Sequence, residues 1–170
     1  PPPPPPPHPP RLDSSAASDV YKRQRNILSA WIYHLIMCHA APPDYSRTSF
    51  LICRDSAIRY GPVPESETVI VNLLNLFRSG LEAPVHFFPE TSHEYAHQKL
   101  TKSLSDPSAL AKAGQKWRGG NPPRKYTSAE SDDRYYDLCF RRVDPLDDEF
   151  KKIALKVFAP IIANSREIIL

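Results

Sequence analysis

Between residues 26 and 40 apolar side chains recur at Ile27, Leu28, Trp31, Leu35 and Cys38, and Ile32 and Ile36 widen the stripe. Steps of three and four put them on one face of a helix. Pro42-Pro43 ends it, because the residue before a proline is pushed out of the helical region. Ser49-Phe50-Leu51-Ile52-Cys53 is a short apolar run of strand type, and Arg54-Asp55-Ser56 is expected to turn it back into Ala57-Ile58-Arg59-Tyr60 as a hairpin. A second helix is predicted over residues 64–79. Glu65 and Glu67 suit its positive end, Val69, Ile70, Leu73, Leu74 and Phe77 form its apolar face, and Gly80 falls where a C′ glycine belongs.

Pro84-Val85-His86-Phe87-Phe88-Pro89 reads as a strand bounded by prolines. Thr91-Ser92, followed by Glu94, signals the cap of a third helix, and Asp106 caps a fourth with Pro107 at its first position. A loop rich in Gly, Pro, Ser and charge covers residues 119–132. Two more helices are predicted over 132–141 and 145–163, and residues 165–170 read as a frayed tail. Trp31, Leu35, Leu51, Leu73, Phe77 and Phe87 are the expected core. The pattern predicts an α/β (α+β) domain, a small sheet flanked by helices.

Composition sharpens this in three ways. At 170 residues the chain has room for a single domain, and no apolar run approaches the roughly 20 residues of a membrane span. Of its 20 prolines, nine lie in the first ten positions, and residues 14–24 resemble a translated sequencing adaptor. Residues 1–24 are therefore expected to be a non-native or disordered leader and residues 25–170 the domain; the leader has no basic, apolar secretory-signal pattern. Finally, the formal charge is only +3, too mild to argue for nucleic acid by itself. Cys38, Cys53 and Cys139 are odd in number and set among apolar residues, which predicts reduced core cysteines and a cytoplasmic protein.

The sharpest chemical motif is His93-Glu94-Tyr95-Ala96-His97. Histidines at i and i+4 share a helix face and could ligate zinc, with the glutamate as general base of a hydrolase. Against this, the motif falls in the first turns of its helix, and no third ligand follows at a familiar spacing. The acids Glu130, Asp132, Asp133 and Asp137, and Asp144, Asp147, Asp148 and Glu149, precede predicted helices, where anions are stabilising. Nothing matches a nucleophile elbow, a P-loop or paired Cys-x-x-Cys. A basic tract, Lys112, Lys116, Arg118, Arg124 and Lys125, is interleaved with Trp117 and Tyr126, a mix that suits backbone contact and base stacking on single-stranded DNA. The plain alternative is a solvated helix face with Trp117 in the core.

Several segments in order carry a resemblance. They are Leu28-Ser29-Ala30-Trp31-Ile32-Tyr33-His34-Leu35, Ser49-Phe50-Leu51-Ile52-Cys53-Arg54-Asp55, Leu76-Phe77-Arg78-Ser79-Gly80-Leu81-Glu82-Ala83-Pro84-Val85 and Phe88-Pro89-Glu90. Ala111-Lys112-Ala113-Gly114-Gln115-Lys116-Trp117-Arg118-Gly119, Glu130-Ser131-Asp132-Asp133-Arg134-Tyr135-Tyr136 and Pro145-Leu146-Asp147-Asp148-Glu149-Phe150 extend it. Together, over about residues 27–164, they resemble the C-terminal domain of RecC, the gamma chain of exodeoxyribonuclease V. The resemblance implies a restriction-endonuclease-like nuclease fold that is catalytically inactive and truncated at its N-terminus. It also implies RecB, RecD and DNA as partners, a scaffolding and strand-guiding role in double-strand break repair, and no cofactor. Active relatives carry Asp and Glu-x-Lys metal ligands on strands ahead of the first helix, and a Gln and a Tyr four residues apart on it. Here Trp31 and Tyr33/His34 fall near those helix positions, without the pair. Catalytic and metal residues are accordingly expected to be none; the alternatives are a zinc-dependent hydrolase through His93, Glu94 and His97, or a structural α/β domain with no ligand. Lys116, Arg118, Arg124, Lys125 and Tyr126 are the expected DNA contacts.

Overall fold

Proline and polar breaks cut the chain into short elements, and the computed structural model describes residues 15–53, 56–119, 129–141 and 143–169. In chain order these hold α1 (Ser15–Ala40), β1 (Ser49–Ile52), β2 (Ser56–Tyr60), α2 (Ser66–Glu82), α3 (Pro89–Leu100) and α4 (Asp106–Trp117). A 3-10 turn (Glu130–Asp132), α5 (Arg134–Phe140), α6 (Asp148–Asn164) and β3 (Ser165–Ile169) complete them. The class is α+β, with one small antiparallel sheet ordered β1-β2-β3. No helix among the described residues is long and apolar enough to cross a membrane.

The hairpin forms as predicted, with Ser49 opposite Tyr60 and Ile52 opposite Ala57. The third strand does not come from residues 84–89. Pro84 and Pro89 have no backbone donor to give a ladder. The chain there bends tightly, with Phe87 N donating to Val85 O at 2.7 Å, and Pro89 opens α3 instead. The third strand is the segment predicted as a tail: β3 pairs antiparallel with β2, Tyr60 facing Ser165 and Ser56 facing Ile169. Two further expectations need correction. Helix α1 begins at Ser15 rather than near residue 26. Gly80 lies inside α2, which runs on to Glu82; a Cβ there would meet Val85 Cγ2 at 3.2 Å, so the glycine serves the close return of the chain.

The interior has two clusters joined by α6. One gathers Ile27, Trp31, Leu35 and Cys38 of α1, Ile58 and Tyr60 of β2, and Ile153, Val157, Phe158 and Ile161 of α6. The other is aromatic: Phe88, fully buried, packs on Trp117 (ring centroids 4.4 Å apart), Tyr136, Phe140 and Phe150. Buried Ala96, Ala109, Ala113 and Ala154 let α3 approach α4 and α6 closely. Of the expected core, Trp31 and Leu35 are buried, and Leu51, Leu73 and Phe87 pack partly buried against the first cluster. Phe77 is 67% exposed, because no described element covers its side of α2. Cys38 is buried, but Cys53 is only half-buried and Cys139 is exposed; all three are free thiols.

Candidate functional site

The densest polar arrangement sits between α1, β1 and the loop leading into α2. His34 is buried and central to it. Ser49 Oγ donates to His34 Nδ1 at 2.8 Å, and His34 Nε2 donates to Gly61 O at 2.8 Å. Cys38 Sγ lies 3.4 Å from the same Nε2. Desolvation, only partly offset by the Gly61 bond, holds the imidazole below its usual pKa and keeps it neutral. The ring stacks on Tyr60 and lies beside Trp31. Burial, with the nearby Cys53 thiol, pushes Tyr60 up to about 12. With both nitrogens bonded and the ring sealed from solvent, His34 ties three elements together and offers no reacting atom a place to bind.

The His93, Glu94 and His97 motif lies in the middle of α3, not in its first turn, because the helix starts at Pro89, ahead of the expected Thr91-Ser92 cap. The two imidazoles stack with centroids 6.0 Å apart. Gln24 Nε2 donates to His93 Nδ1 at 3.3 Å, His93 packs edge-on to Phe158, and Glu94 accepts from Gln98 Nε2 at 2.8 Å. Among the described residues no third His, Cys, Asp or Glu joins the pair within ligand range. The one such group is His86, Asp147 and Glu149, whose donor atoms lie within 4.8 Å of one another. His86 stands 61 residues before Asp147, so no motif announces the group. Asp147 Oδ1 is already engaged twice, by His86 Nδ1 at 3.0 Å and Phe150 N at 2.9 Å.

Other carboxylates do comparable work at helix starts. Asp133 Oδ1 accepts from Tyr135 N at 2.8 Å, capping α5. Buried Glu130 accepts from Glu90 N (3.1 Å) and Thr91 N (2.8 Å), and so closes the N-terminus of α3 from a distance. Desolvation raises the Glu130 pKa, and the bonds from Thr91 and Glu90 oppose it. Glu130, Asp133 and Asp147 thus satisfy donors that a helix leaves unpaired, while Asp137 pairs with Arg141 and Asp148 with Lys151.

In the basic tract, Lys112, Lys116 and Arg118 are exposed on and after α4, while Arg124, Lys125 and Tyr126 lie outside the described residues. Arg118 folds back over Gly114, where a Cβ would meet Arg118 Nη2 at 2.9 Å. Trp117 is half-buried and packs on Phe88 and Tyr136, so its ring leans on the aromatic cluster.

A family model described as the RecC C-terminal domain matches residues 11–100, just over half of the chain. It covers α1, the hairpin, α2 and α3, and it begins within the segment expected to be a leader. The resemblance read in residues 111–119, 130–136 and 145–150 lies beyond it. No curated protein matches.

Proposed function

The chain belongs to the RecC C-terminal domain family, and from that membership we propose that it is a non-catalytic module of a RecBCD-type helicase–nuclease. In this reading it is a restriction-endonuclease-like domain without metal ligands, acting in the cytoplasm. It packs on RecB and RecD and helps to hold DNA strands that other subunits unwind and cut. The family match over residues 11–100 carries the reading. The use of Asp133, Asp147 and Glu130 as helix caps supports the absence of cleavage, since those carboxylates accept backbone bonds. Lys116, Arg118, Arg124, Lys125 and Tyr126 are the cations and ring assigned to DNA. The test is co-assembly: the purified chain, mixed with RecB and RecD, is expected to co-elute with them and to leave labelled DNA uncut with magnesium present. A chain that elutes alone, or that cuts DNA, sinks the proposal.

A further inference from the structure

The outward face of the sheet carries an arrangement that the fold does not use. Side chains alternate between faces along a strand, so Phe50, Arg59 and Arg166 form one row across all three strands, Phe50 opposite Arg59 and Arg59 opposite Arg166. All three are exposed, Phe50 at 58%. The next row on that face, Ile52, Ala57 and Ile168, is apolar. Like charges directly opposite on antiparallel strands repel. Among the described residues neither guanidinium has an ion pair. The pair therefore weakens the isolated sheet, and an anion laid across it would relieve the repulsion.

We propose that the row Phe50–Arg59–Arg166 is a binding platform for single-stranded DNA, with phosphates on the two guanidiniums and a base stacked on the Phe50 ring. The chemistry selects this occupant. Two adjacent cations call for a chain with repeated negative charge, and an exposed aromatic face beside them calls for flat rings. A duplex keeps its base faces stacked inside and can satisfy only the arginines. Strands lie about 4.8 Å apart, so Phe50 and Arg166 are separated by roughly 10 Å, room for a base and its neighbouring phosphates. By contrast, the ring of Trp117 beside Lys116 and Arg118 is half-buried, with Phe88 and Tyr136 against it. The platform rests on the DNA-handling reading above and names a surface for it.

The test is fluorescence anisotropy of the full chain with a labelled 15-nucleotide oligo(dT), titrated at several salt concentrations. Changing both Arg59→Gln and Arg166→Gln is expected to flatten the log K against log salt slope by about 1.4, at roughly 0.7 per phosphate contact on a single strand. Phe50→Ala is expected to weaken binding roughly 5- to 150-fold at unchanged slope, the size of one lost stacking contact. Arg59→Lys with Arg166→Lys should keep the slope, and circular dichroism checks that each variant is folded. Wild-type binding in both the double Gln variant and Phe50→Ala overturns the platform, as does no binding by the wild-type chain or equal binding of poly-glutamate. Co-elution with RecB and RecD is scored separately, so loss of the platform and loss of the subunit reading are told apart.

Discussion

Helices α2 and α6 are each 17 residues long and both carry an apolar stripe, yet they are buried very differently. Helix α6 buries Phe150, Ile153, Ala154, Val157, Phe158 and Ile161 and links both clusters. Helix α2 buries only Ser66, and leaves Leu74, Phe77 and Leu81 on the surface. The contrast teaches that periodicity reports a face and says nothing of whether anything lies over it. Helix α6 packs along α3 and divides its buried residues between the first cluster and the aromatic one. Helix α2 is met along one side, through Val69, Leu73 and Leu76, and is held mainly at its start, where Val63 is buried and His34 bonds Gly61 O.

Substitutions can break or sharpen this contrast, and the largest effect belongs to α6. Phe158→Ala removes a fully buried ring that packs on Phe87 and His93, and is expected to cost about 3–5 kcal/mol in urea unfolding. A loss below 1 kcal/mol would show that α6 is no better covered than α2. Next comes the cap of α6. Asp147→Ala leaves Phe150 N and His86 without their acceptor, and should cost roughly 0.5–2 kcal/mol. Burial alone would raise the Asp147 pKa, but the bonds from Phe150 N, His86 and Glu149 N together outweigh it and lower it. With the folded-state pKa depressed, this contribution is present above the ordinary carboxylate pKa and disappears as pH falls through the folded value. The Ala variant should therefore differ least from wild type in strong acid.

The tether of α2 has its own pH signature. Because burial lowers the pKa of His34, below the ordinary value of 6.5 the unfolded chain takes up a proton that the folded chain refuses. Stability is then full above that value and declines as pH falls toward the folded pKa. Hydrogen exchange between pH 7.5 and 5 should show the Val63–Ser66 turn and the start of α2 opening before α6; equal loss in both helices would deny His34 this role. The smallest effect is Phe77→Ala, expected within about 0.5 kcal/mol of wild type because the ring is already in solvent. A cost near that of Phe158→Ala would mean that α2 is covered after all.

Much of the fold was legible where local chemistry decides it. The hairpin followed from the short apolar run Ser49–Cys53 ahead of Arg54-Asp55, and helices were expected near residues 132 and 145, where acidic residues suit a helix start; Asp133 and Asp147 prove to be the caps. The proposed DNA contacts were legible only in part. Lys116, Arg118 and Trp117 are neighbours in sequence, but the ring turned inward to Phe88, which no spacing announces. The row Phe50–Arg59–Arg166 was invisible, because its members come from three strands and their alignment depends on register.

By itself the sequence determined helix period, the hairpin and a run of residues similar enough to the RecC C-terminal domain to place the family, because each is set by side chains close together along the chain; the caps expected at Thr91-Ser92 and Asp106 are not the ones used, since Phe88 and Ser105 precede α3 and α4. Only the tertiary structure decided that residues 165–169 would be the third strand and residues 84–89 would not. A strand needs a partner edge, and β2 offered one to β3, whereas Pro84 and Pro89 could not complete a ladder. It also decided that Phe158 is core and Phe77 surface. Hydrophobic residues are alike in sequence, and what separates them is whether another element arrives to exclude water.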